Sequence, residues 1–117
     1  MADSRVAGYA EALFAVAAAE GDSSVVEDEL FRFAQALRSD NDLGSTLADT
    51  ELPLARRLQV IEDLLGSRVS AVTTALVSMV VGAGRAAELP AIVDAMVERG
   101  AASRNKTVAT VRSAVDL

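Results

Sequence analysis

Apolar residues recur every three or four positions along most of the chain, which is the period of an amphipathic helix. A first helix is predicted from about Ser4 to Glu20, stopping at Gly21 as a left-handed C-terminal position. Ser24 with Glu27 forms a capping-box pattern for a second helix reaching about Arg38, with Val26, Leu30, Phe33 and Leu37 as its core stripe. Leu43 and Leu47 suggest a short third helix over Asn41 to Ala48. Pro53 suits the first position of a fourth, where a missing N–H costs nothing. That helix carries Leu54, Leu58, Ile61 and Leu65 and ends at Gly66. A fifth is expected from about Ser70 to Val81 or Gly82. A sixth begins near Pro90 and buries Ile92, Val93, Met96 and Val97. Beyond it, residues 107–115 alternate small and β-branched side chains without a helical stripe, so an extended tail is expected there. The pattern therefore predicts an all-α, compact six-helix bundle over residues 1–105 and a short extended hinge over 106–117.

Two of these helices lack the charge that a solvent face carries. In the first, Val6, Tyr9, Leu13, Phe14 and Val16 fall within an arc of about 160° and form the expected core face. The opposite side holds Ala7, Gly8, Ala12, Ala15, Ala18 and Ala19, with Glu11 as its only charge. Gly8, Ala12, Ala15 and Ala19 make one ridge of small side chains, which allows another helix to approach closely. Alanine is also the best helix former, so a stable solvated helix is the competing reading. In the fifth helix Val69, Val72, Leu76, Met79 and Val80 are assigned to the core. Val77 and Val81 then project among Ser70, Thr74 and Ser78, again without charge. Burial on both sides by the bundle itself is the alternative for that helix. If the two helices are neighbours, they form a groove suited to an amphipathic partner helix.

Composition narrows the chemistry. The 117 residues include 23 alanines and 15 valines but only four aromatics, and there is no histidine, cysteine or tryptophan. Disulfides, thiolate metal sites and cysteine or histidine catalysis are thereby excluded. Residues 1–51 carry eleven acids against three arginines, and residues 52–117 carry six acids against eight bases. No basic patch dominates, so nucleic-acid binding by counterion release is not expected. Asp3 is wrong for a transit peptide, and the longest uncharged run, Val69 to Gly84, is shorter than the roughly 20 residues that span a bilayer. The chain reads as soluble and intracellular. Gly82-Ala-Gly84-Arg85 follows a helix and lacks the Lys-Ser/Thr of a phosphate loop, so it reads as a helix stop. Glu27-Asp28-Glu29, Asp40 and Asp42 lack calcium-loop spacing and read as caps or solvated faces. Lys106, the only lysine, is explained as a solvated charge near a helix end. No catalytic residue, cofactor or metal is assigned.

Three signatures in order resemble one family. Tyr9-Ala-Glu-Ala-Leu-Phe14 opens the first helix, Gly84-Arg-Ala-Ala-Glu-Leu-Pro90 joins the fifth and sixth, and Val111-Arg-Ser-Ala114 with Leu117 closes the chain. With six helices, this resembles the N-terminal domain of the ATP synthase delta subunit, the oligomycin-sensitivity-conferring protein family. The resemblance implies a non-catalytic stator part, peripheral on the cytoplasmic face of a bacterial plasma membrane and not inserted in it. It further implies that the N-terminal helix of an alpha subunit lies between the first and fifth helices, helping to hold F1 against co-rotation. A C-terminal domain that engages the b subunit of the peripheral stalk would lie outside this sequence. Gly8, Tyr9, Ala12, Ala15 and Ala19 are the expected contacts on the first helix, and Thr74, Val77, Ser78 and Val81 those on the fifth. Gly8 stands where many relatives have a basic residue, which removes an ionic contact from that position. A generic helical adaptor, unconnected with ATP synthesis, is the alternative.

Overall fold

A computed structural model describes the backbone of residues 3–115 and the side chains of residues 4–104. The expectations for Lys106, for Val111 to Ala114 and for Leu117 lie outside the described side chains. Six α-helices account for most of the described chain. They are α1 (Asp3–Glu20), α2 (Ser23–Ser39), α3 (Asn41–Ala48), α4 (Leu54–Leu65), α5 (Ala71–Gly82) and α6 (Leu89–Val115). A single 3₁₀ turn, Ala86–Glu88, links the last two, and the described residues include no strand.

Local chemistry explains most boundaries. Asp22, rather than Ser24, caps α2, its Oδ1 accepting from the backbone N–H of Ser24 and Val25. The expected Ser24–Glu27 capping box does not form, because Glu27 is buried elsewhere. Asp40 caps α3 through Leu43 N–H, and Ser70 caps α5 through Thr73 N–H. Gly21 does not adopt the left-handed conformation expected of it. Only Gly84 does among the described residues, at φ 78°, where it ends α5 while Arg85 N–H donates back to Val80.

The chain ends in a tail beyond the bundle, as expected, but its described backbone is helical rather than extended. α6 continues as helix through Val115, 27 residues in all. After Gly100 the sequence contains neither glycine nor proline. Each β-branched residue costs a formed helix only a few tenths of a kcal/mol, and elongation avoids the nucleation penalty.

α6 packs against both α1 and α2, while α4 packs against α5. Leu13, Leu30, Leu47, Ile61, Leu89, Ile92 and Met96 are fully buried between them. The predicted α2 stripe of Val26, Leu30, Phe33 and Leu37 is buried throughout. On α1 the buried residues are Ala10, Leu13 and Ala17, with Val6, Tyr9 and Phe14 half-buried at the edges. Val16, assigned to the core from the sequence, lies 36 % exposed instead.

Glu29 ties α2 to the start of α5. Its carboxylate accepts from Ser70 N–H, Ser70 Oγ and Thr73 Oγ1, the last at 2.6 Å. Partial burial pushes this carboxyl up, but the bonds from Thr73 and Ser70, with Arg32 nearby, outweigh it and hold its pKa below the ordinary value of 4.5. Because the folded pKa is lowered, the stability it contributes is present above the ordinary pKa and is lost as pH falls through the lowered one. The denaturation midpoint of the native chain is therefore expected to exceed that of Glu29→Gln at pH 7. The gap should narrow from about pH 5 downward. A gap that is constant with pH would refute this role.

Candidate functional site

The end of α1 lies beside the start of α5. A Cβ added to Gly21, just after α1, would meet Val72 Cγ2 at 3.4 Å, near the start of α5. Further along, Ala15, Val16, Ala19 and Glu20 of α1 face Val72 and Ala75 of α5 across an open groove of about 350 Å³. Met79 follows Ala75 by one turn on α5 and is 43 % exposed. Gly8, Ala12, Ala15 and Ala19 are all exposed, and a Cβ on Gly8 would meet nothing within 4 Å. Tyr9 is half-buried on the border between this ridge and the core. Apart from Glu20 at one end, the groove is lined without charge.

The four residues expected from α5 are placed differently. Val77 and Val81 are both 0 % exposed and belong to the core, which corrects their assignment to an outward face. Thr74 is half-buried, with its Oγ1 enclosed and without a hydrogen-bond partner. It is also about 200° around the helix from Val72, on the flank away from α1. Ser78 is half-buried near the outward face. None of the four lines the groove. The outward face of α5 consists of Ala71, Ala75, Ser78, Met79 and Gly82, so it is uncharged as expected but turned from the expected direction. Val16 and Met79 reach the surface although their patterns place them in the core, where large apolar side chains are assigned by default. A helix apolar on every side offers no signal to overrule that default.

A larger concavity of about 570 Å³ lies elsewhere, among α2, α3 and the α4–α5 link, with Val25, Phe33, Leu43 and Leu64 in its walls. Its acidic residues are engaged internally, Asp28 with Arg32 at 3.1 Å and Glu29 with Ser70 and Thr73. Among the described residues no group of acidic side chains has the arrangement of a metal site. None of their helices is long and apolar enough to cross a membrane.

Comparison with known proteins decides the family. The sequence model described as "ATP synthase delta (OSCP) subunit" matches residues 6–117. The chain belongs to this family. It is 36 % identical over 117 residues to the ATP synthase subunit delta of Nocardia farcinica, covering all of this chain and 43 % of that protein. To the ATP synthase subunit delta of Salinispora tropica it is 35 % identical over 106 residues, covering 91 % of this chain and 39 % of the relative. A Mycobacterium protein described as "ATP synthase subunit b-delta" is 33 % identical over 106 residues, 91 % of this chain and 24 % of its own length. The chain thus spans less than half the length of these relatives. No solved structure gives a significant match.

Proposed function

We propose that the α1–α5 face is a helix-receiving surface of an ATP synthase stator. Its occupant is the N-terminal helix of an alpha subunit, and its task is to hold the F1 head against co-rotation. The observation that carries this reading is the continuous uncharged strip. It runs along Gly8, Ala12, Ala15, Val16 and Ala19 of α1, the last three of which face Val72 and Ala75 of α5 across the groove. Both sides are regular helices, so the surface is pre-formed and little ordering is required on binding. Small side chains set a short interaxial distance, and apolar area removed from water contributes roughly 25 cal/mol per Å² before the costs of association. A tether under torque requires slow dissociation and no proton transfer, which suits a sequence without histidine or cysteine. The b subunit would be engaged by the part of the relatives outside this chain, at the cytoplasmic face of a bacterial membrane. The relative described as b-delta is in keeping with such a linkage.

The test is titration of isotope-labelled chain with a peptide of about 20 residues from an alpha N-terminus, which as a helix spans about 30 Å. Shifts confined to α1 and α5 are expected, strongest at Ala12, Ala15 and Ala75. Saturating peptide without shifts, or shifts centred on the α2–α3 concavity, would overturn the assignment.

A further inference from the structure

α2 and α6 run antiparallel and are tied at two levels. At one, Arg38 pairs with Asp94 and donates to Pro90 O. At the other, Arg104 Nη1 donates to both carboxylate oxygens of Glu27, at 3.2 and 3.4 Å. The two ties differ in burial. Arg38 and Asp94 are each about half exposed, whereas the Glu27 side chain is only 6 % exposed. Glu27 is buried because it lies on the bare backbone of Gly100, where a Cβ would overlap the carboxylate. Phe31 and Val97 line the same small hollow beside Arg104. A carboxylate in such a place is tolerated only while its cation stays in position, since an unpaired buried charge is strongly unfavourable.

Continuing the register of these two ties sets Ser23, the first residue of α2, opposite about residue 108. α6 runs on to Val115, so its end passes beyond the α1–α2 turn. Gly100 and Arg104 thus sit on the last turns of α6 that α2 accompanies. We infer that Glu27, Gly100 and Arg104 form a clamp that fixes the direction in which α6 leaves the bundle. Glycine admits the carboxylate, and arginine one turn later closes over it. The clamp acts on the far half of α6 alone, because the near half is held by Ile92, Val93 and Met96 in the core. This role is independent of what binds the α1–α5 face.

Native-state hydrogen exchange on the whole chain tests it, comparing Arg104→Ala and Gly100→Ala with Arg38→Ala as control. Both clamp variants are expected to lose roughly tenfold or more protection over residues 100–115, with α5 and residues 92–96 unchanged. Arg38→Ala should leave residues 100–115 as they are. Unchanged protection past residue 100 in Arg104→Ala would overturn the clamp. So would losses shared equally by α5, which mark general destabilisation. Gly100→Ala supplies an independent reading if Arg104→Ala folds poorly, because it displaces the carboxylate without deleting either charge.

Discussion

Ala12→Glu is expected to leave the bundle folded and to weaken binding of an alpha N-terminal peptide by more than about 100-fold, or about 2.7 kcal/mol. Ala12 is exposed, so the substitution disturbs no internal packing and costs only a few tenths of a kcal/mol in helix propensity. In the complex the same side chain would face a close-packed, largely apolar contact. There a carboxylate is either stripped of water without a partner or forces the two helices apart. Calorimetric titration gives the affinity, and circular dichroism with thermal melting verifies the fold. Full affinity in the variant would show that the small-residue ridge of α1 faces solvent in the assembly.

Val77→Asp and Ala75→Asp are expected to fail in opposite ways, although they lie two residues apart on α5. Val77 is completely buried, and no Lys or Arg is buried among the described residues. An aspartate there costs upwards of about 4 kcal/mol, a large share of the 5–15 kcal/mol that holds a typical domain together. That variant should lose its cooperative melting transition. Ala75 lines the groove beside Ala15 and Ala19, and its variant should melt almost like the parent while binding no peptide. A well-folded Val77→Asp that loses peptide binding would restore the face expected from the sequence and reject the rotation of α5 described above.

That contrast marks where the sequence could be read and where it could not. On α2, charged Asp28 and Arg32 interrupt the apolar residues at helical spacing, and Val26, Leu30, Phe33 and Leu37 fall into the core as expected. α5 contains no charged residue in its 12 positions, so a helical wheel has nothing to mark the water side. Only the placement of α1, α2 and α4 around it selects Val77 and Val81 for burial over Met79. On α1 the direction of the core was legible to within one residue at its edge, Val16. Its centre is made of Ala10, Leu13 and Ala17, two of them too small to weigh in a hydrophobic pattern. The acidic run Glu27-Asp28-Glu29 looked like one solvated stretch. In the fold its members separate into a buried carboxylate under Arg104, an exposed pair with Arg32 and the anchor of α5. The first of these depends on a residue 77 positions away, which a single sequence does not disclose.

The helical continuation of α6 to Val115 has a mechanical side. A disordered or extended linker behaves as an entropic spring, straightening toward about 3.3–3.6 Å per residue when pulled. A helix holds about 1.5 Å per residue and lengthens only by breaking its own hydrogen bonds. Tension applied near residue 115 would therefore be transmitted with little give to the turn containing Gly100 and Arg104. While it stays helical, such a segment would lengthen less under the same load than an extended linker of equal residue number.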